Sequence, residues 1–182
     1  SVEQLEITFD ITRITALIVT HCHIDHVGRI PYLLAAGFNK PIYATTATAA
    51  LLPLVIEDAL KVGVTRNKRL IDLYIKRLKM LIQPIDYKQW FSLEVNNIDA
   101  DTGSNTEDKN NSSGYQQAKA RFNVAGHILG SAYVEIELSH PLQAVKSTQT
   151  HLQNKSDTAP IDNNNSHLVV FSGDLGASDT PL

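Results

Sequence analysis

His21-Cys22-His23-Ile24-Asp25-His26 is the stretch on which the reading of this chain turns. The run before it, Ile14-Thr15-Ala16-Leu17-Ile18-Val19-Thr20, is apolar and predicts a buried strand. The run after it, Val27 to Ala36, predicts a helix, with Gly37 as its C-terminal stop. Three imidazoles and a carboxylate therefore stand at the C-terminal end of a strand, where α/β proteins usually build sites. Imidazole suits zinc, iron and related metals, and a carboxylate adds a harder oxygen ligand. In an extended segment side chains alternate, so His21 and His23 point the same way and can grip one metal. Asp25 and His26 follow where the chain turns into the helix, and can face a second metal close by. A chance histidine cluster at a surface turn is the bland alternative. Four ligand-type residues in six, at a strand-to-helix junction, argue against it.

The chain has 182 residues, enough for one domain with a real core. A hydrophobic fraction of 43% makes it globular rather than disordered. Sixteen Lys and Arg against 19 Asp and Glu give a net charge of −3, which excludes a strongly basic nucleic-acid-binding module. Two bound cations supply local positive charge that such a count omits. Cys22 is the single cysteine, so no intrachain disulfide is possible, and a reducing, cytoplasmic setting fits. We read Cys22 as a small residue packed behind the loop. No stretch approaches the roughly 18 consecutive apolar residues of a membrane span, and the start of the chain carries no signal-peptide pattern.

Elsewhere Leu5, Ile7 and Phe9 alternate and predict a short strand or extended approach. Pro41 to Ala44 predicts a strand. Thr45 or Thr46 can cap a helix running to about Val62, which Pro53 should kink or restart. Asn67 opens another helix to about Ile82. Its Arg66, Lys68, Arg69, Lys76, Arg77 and Lys79 read as a solvated face, and Pro84 stops it. The segment 85–95 is mixed, with Trp90 and Phe91 packing. Ala120 to Val124, Ser131 to Leu138 and His167 to Ser172 predict strands. Polar stretches at 96–117 and 139–166 bury too little apolar surface to pack and predict surface loops. His140, His151 and His167 lie in or beside them and are assigned no role. Strands alternating with helices, then strands alone, fit two sheets sandwiched between helices.

Three motifs carry a family resemblance. His-x-His-x-Asp-His at 21–26 resembles the signature of the metallo-β-lactamase fold. Its continuation, Gly28-Arg29-Ile30-Pro31-Tyr32-Leu33-Leu34, resembles the RNA-processing nuclease branch of that fold, the β-CASP group. So do Ala125-Gly126-His127-Ile128-Leu129-Gly130-Ser131-Ala132 and Phe171-Ser172-Gly173-Asp174-Leu175-Gly176, in the family's order. The resemblance implies an αββα sandwich, incomplete in this chain, and a metal-dependent ribonuclease of RNA processing or decay. It implies two zinc ions. His21, His23 and His127 would hold the first. Asp25, His26 and Asp174 would hold the second, with Asp174 bridging both and Asp25 also steering a proton in catalysis.

RNA is the implied substrate. A homodimer is compatible with the sequence, which does not demonstrate one. The chain departs from the family pattern at both ends. Twenty residues precede His21, without the family's earlier strands and their aspartate motif. Eight follow Asp174, where the family continues into its β-CASP domain, the last ligand histidine and the histidine assisting the leaving group. Residues 1–182 are therefore expected to be a partial catalytic module with little activity of its own. The competing readings are a small-molecule hydrolase of thioesters or lactones on the same fold, and a non-catalytic metal-binding remnant. The Gly-His-Ile-Leu-Gly-Ser context of His127 favours the nuclease over the first.

Overall fold

A computed structural model describes residues 6–95, 117–139 and 166–176. Its first half is a parallel sheet: β1 (Leu17–Val19), β2 (Ile42–Thr45) and β3 (Ile82–Ile85), in the order β1-β2-β3. Parallel neighbours need crossovers, and helices supply them. Helices α1 (Ile24–Val27) and α2 (Ile30–Ala35) join β1 to β2, while α3 (Thr46–Gly63) and α4 (Lys68–Leu81) join β2 to β3. The second half is antiparallel, in the order β4-β5-β6-β7: β4 (Phe91–Leu93), β5 (Gln117–Val124), β6 (Ala132–Ser139) and β7 (Ser166–Phe171).

Strand alternation sorts the apolar side chains into two cores. Leu17, Val19, Ile42 and Ala44 face the helices, where Val27, Leu34, Leu52, Ile56, Leu60 and Leu78 close over them. Ile18, Tyr43 and Ile85 face the other way, onto Ala120, Phe122, Ala132 and Val134 of the second sheet. The parallel sheet is thus the middle layer of three, with helices on one side and the antiparallel sheet on the other. Phe91 joins the inter-sheet core, its ring 4.6 Å from Tyr43 and 5.6 Å from Phe122 between centroids. The outer face of the second sheet is polar. Lys119 pairs with Glu137 at 3.1 Å, Arg121 pairs with Glu135, and both cations lie over the Trp90 ring.

Several elements depart from expectation. The strand predicted over 14–20 forms a ladder only at Leu17–Val19. The helix predicted over 27–36 is two short helices, starting at Ile24 and broken at Gly28–Arg29. Pro31 explains the restart: its missing N–H costs nothing in a first helical turn. Gly37 stands just past the second helix at φ 104, as a stop should. Thr45 is the cap of α3, accepting from the Thr48 N–H, and Pro53 lies within a single assigned helix that does not restart. Asn67 caps α4 by accepting from Leu70 N.

Pro84 does not merely end that helix; it sits within β3, which the sequence reading missed. An edge strand with one side unpaired tolerates a residue lacking a donor. Residues 6–10 form no strand. Gln117, Ser139 and Ser166 belong to strand ends rather than to the polar loops; 96–116 and 140–165, with His140 and His151, lie outside the described residues.

Phe122 joins both sheets, so Phe122→Ala should lower unfolding stability by about 3–5 kcal/mol. Leu73→Ala, at an exposed position on α4, should change it by no more than about 0.5 kcal/mol. Urea unfolding of both variants checks the layer assignment, and equal losses would contradict it.

Candidate metal centre

Three loops meet at one end of the sandwich. The first leaves β1 directly. Thr20 ends the strand, His21 and Cys22 turn inward, and His23 is the residue before α1, still extended at φ −64, ψ 144. Asp25 and His26 then lie on α1 itself. His21 is fully buried, and its Nδ1 lies 3.2 Å from Thr20 Oγ1. The tautomer that leaves Nε2 free puts the proton on Nδ1, where it donates to that hydroxyl. Cys22 is buried and its Sγ donates to Thr48 O at 3.4 Å. Burial pushes its thiol up to about 11, so it stays protonated at neutral pH and is a packing group.

The second loop joins β5 to β6 and carries His127. Gly126 and Gly130 both take positive φ, 72° and 83°. Between them Ser131 Oγ accepts from His127 N and Ile128 N at 3.0 and 3.1 Å, fixing the backbone that presents the imidazole. Outside contacts then hold the loop. Gly130 O accepts from Thr45 Oγ1 at 2.6 Å and Thr48 Oγ1 at 2.8 Å, Ser131 O accepts from the Tyr87 hydroxyl at 2.9 Å, and Ala132 N donates to Thr20 O.

The third loop follows β7. Gly173 lies against Thr20 at φ 54, and Gly176 N donates to Ala125 O at 2.9 Å. A side chain at 176 would collide with the backbone of Gly126 and His127, its Cβ 1.8 Å from Gly126 O. That close approach seats Asp174 beside His127.

The ligand-type atoms of His21, His23, His127 and Asp174 all lie within 4.8 Å of one another. His127 Nε2 is 3.1 Å from His23 Nδ1, near the roughly 3.3 Å that separates two nitrogens bound to a tetrahedral zinc at about 2.0–2.1 Å. His21 Nε2 is buried without a hydrogen-bond partner, and it points at Asp174 Oδ2, 3.8 Å away. An orphaned imidazole nitrogen aimed into a cluster of nitrogens and a carboxylate fits a cation. Asp174 divides its oxygens: Oδ2 faces His21 and His127 (3.6 Å), while Oδ1 faces His26 Nε2 at 3.4 Å. His26 in turn lies 3.7 Å from Asp25, whose side chain is 75% exposed. All six ligand residues predicted from sequence therefore border one site, four in a tight group and Asp25 and His26 beside it. His167 is exposed on β7 and outside that group. The supporting Thr20, Thr45, Thr48, Tyr87 and Ser131 went unnoticed in sequence. Only the Ser131 hydroxyl, directly after the Gly-His-Ile-Leu-Gly run, offered a local signal.

Burial is the main cause holding the His21 imidazole below its ordinary value of 6.5, with His26 and His23 adding repulsion and Asp174 opposing them. Above 6.5 the folded and unfolded chains both keep this histidine neutral. As pH falls below 6.5 the unfolded chain takes up a proton that folded His21 refuses, so stability falls until the lowered folded value is passed. Chelator-treated protein should therefore lose stability on acidification below about pH 6.5, and His21→Asn should flatten that slope. Denaturation midpoints across pH 5–8 read it out; an unchanged slope would contradict the burial argument.

Comparison with known proteins agrees with this geometry. The family described as Metallo-beta-lactamase superfamily matches residues 3–106. The chain is 32% identical over 126 residues to "Ribonuclease TTHA0252" of Thermus thermophilus, covering 69% of this chain and 24% of that protein. It is 32% identical over 151 residues to "Transcription termination factor FttA" of Methanosarcina mazei, covering 81% and 20%. It is 30% identical over 125 residues to "Cleavage and polyadenylation specificity factor subunit 3-II" of Arabidopsis thaliana, covering 66% and 17%. The chain thus spans about a quarter or less of these relatives. With more than half of its length matched by the family, and with its three motifs converging on one cluster, the chain belongs to the metallo-beta-lactamase superfamily.

Proposed function

We propose that this chain carries the metal-binding face of a metal-dependent ribonuclease that hydrolyses RNA phosphodiester bonds. The observation that carries this reading is the division of Asp174, one oxygen toward His21 and His127 and the other toward His26. Such a carboxylate suits a centre of two cations; two zinc ions would fit, the first to be held by His21, His23 and His127 and the second by Asp25, His26 and Asp174. A pair of cations supplies a nucleophile at neutral pH and neutralises charge on the phosphate oxygens.

The chain's own residues do the rest. Asp25 is exposed and close to His26, so its carboxylate can take a proton at the open side of the site. His21 is sealed from solvent and kept neutral, which preserves its lone pair. Ile24, Leu129 and Leu175 are each more than half exposed and sit one or two positions from a ligand residue. That apolar rim fits a cleft closed by further polypeptide, in line with the small share of the relatives that the chain spans. Residues 1–182 then act as a partial module, with RNA held weakly for want of a partner wall. No described helix is long and apolar enough to cross a membrane, and a cytoplasmic setting accords with the single, free Cys22.

Two experiments test the reading. Zinc titration of this chain should find one tighter site lost in His21→Ala and His127→Ala, and a weaker one lost in His26→Ala; uptake indifferent to all three would end the assignment. On a labelled RNA with added zinc or manganese, the chain should turn over poorly. A longer parent protein should cleave and lose about 10²–10⁴-fold in kcat with Asp25→Asn. Turnover by residues 1–182 equal to that of the longer protein would refute the partial-module reading.

A further inference from the structure

The geometry points to Thr48 as the positioning residue that sets the distance between the two histidine loops of the metal centre, an inference that rests on the metal-centre reading above. Thr48 is fully buried in the first turn of α3 and contacts both loops through different atoms. Its Oγ1 donates to Gly130 O at 2.8 Å, across 82 residues, holding the loop of His127. Its carbonyl accepts from Cys22 Sγ at 3.4 Å, across 26 residues, holding the loop of His21 and His23. Gly130 comes so near that a Cβ there would sit 2.7 Å from both Thr48 N and Thr48 Oγ1. The contact is therefore tight enough to transmit a displacement.

A helix-capping role does not account for this hydroxyl. Thr45 is the cap, and its oxygen accepts from Thr48 N while donating to Gly130 O. The Thr48 hydroxyl is directed out of the helix, to a carbonyl three residues beyond His127. Thr45 reaches only the second loop among these contacts; Thr48 reaches both. Cys22, flanked by His21 and His23, is the other half of the device. Its buried thiol donates to the Thr48 carbonyl and so tethers the ligand strand to α3. The two tethers join α3 to the loops that bring His127 Nε2 to 3.1 Å from His23 Nδ1. Supporting residues of this kind act on metal affinity through the ligands they orient.

The test uses the purified chain with zinc alone, competed against a chromophoric chelator, and cobalt(II) absorption as a report of ligand geometry. Thr48→Val keeps the shape and removes the donor. It should weaken the tighter site by about 10–100-fold and shift the cobalt bands. Thr48→Ser should restore affinity to within about threefold, because it returns the hydroxyl. Cys22→Ala should weaken the site in the same direction by a smaller factor, since a thiol is a weak donor. Thr46→Val is the control, as its hydroxyl donates to Asp86 on the outside of the same turn, and should leave affinity unchanged. Affinities are compared at equal folded fraction by circular dichroism. Should Thr48→Val not fold, the Thr48→Ser and Cys22→Ala pair still decides: wild-type affinity in Cys22→Ala, or a loss in Thr48→Ser as large as that in the control-corrected Cys22→Ala, overturns the proposal. Wild-type affinity and cobalt spectrum in a folded Thr48→Val also overturn it. Absence of zinc uptake by the unaltered chain overturns the metal centre itself, a result distinct from uptake that ignores Thr48.

Discussion

One buried carbonyl, that of Gly130, takes hydroxyl donors from both Thr45 and Thr48, and the meeting of the two halves of the molecule depends on it. The residues belong to different sheets: Thr45 ends β2 of the parallel sheet and Thr48 follows it, while Gly130 precedes β6 of the antiparallel one. A carbonyl in a dry environment left without donors would cost about 1–3 kcal/mol, while each bond made contributes about 1 kcal/mol net. The asymmetry matters more than the sum. Once the sandwich has closed and water has left, the loop has one satisfied arrangement at this point, and the histidine within it inherits that arrangement. Ala132 N on Thr20 O and the Tyr87 hydroxyl on Ser131 O extend the same logic along the seam. The inter-sheet core supplies the drive to close; these hydrogen bonds select the register at which it closes.

The centre itself runs against stability. Four imidazoles crowd together, with His21 4.9 Å from His23, 4.1 Å from His26 and 5.1 Å from His127 between ring centroids. Protonating His21 would place a charge among three other imidazoles in a position buried from solvent. Its orphaned Nε2 adds the cost of a buried polar atom without a partner. A hydrophobic residue at 21 would suit the fold better. A cation taking the lone pair would account for a histidine there, and its binding free energy would then be folding free energy as well.

The candidate ligand residues stood out in the sequence because their chemistry is local. A His-x-His-x-Asp-His run after an apolar strand, and a His between two glycines after another, each carry their signal within a few residues. Cap residues Thr45 and Asn67 and the stop at Gly37 were readable for the same reason. The remainder depends on tertiary partners. Gly28 and Pro31 divide the helix after the first motif, but a periodic apolar pattern runs through both and masks the break. β3 contains Pro84 and is a strand because β2 lies beside it, its far edge being unpaired among the described residues. Thr48 resembles any threonine in the first turn of a helix until Gly130 and Cys22 are found against it, 82 and 26 residues away. No pattern within a helical window encodes such a pair of contacts.

Asp174 is delivered by the least covered element. Among the described residues β7 pairs only with β6, and Leu168, Val169, Val170 and Phe171 are all exposed. Register places Val169 and Phe171 opposite Ile136 and Val134, on the face that forms the inter-sheet core further along. The antiparallel sheet therefore overhangs the parallel one at this edge, and β7 gains little burial for the backbone entropy it gives up. Opening should be easiest there, because local stability follows buried contacts. The loop after β7 is nevertheless pinned where it matters, by Gly176 against Gly126 and by Gly173 against Thr20. A cation shared between Asp174 and the histidines would add a third pin from a strand that packing alone holds weakly. Ligation at this carboxylate would thus do structural work that ligation at His21, already locked in the core, would not. The residues that would share one coordination sphere rest on supports of very different stiffness, and Asp174, whose oxygens divide between His21 and His26, is at the soft end.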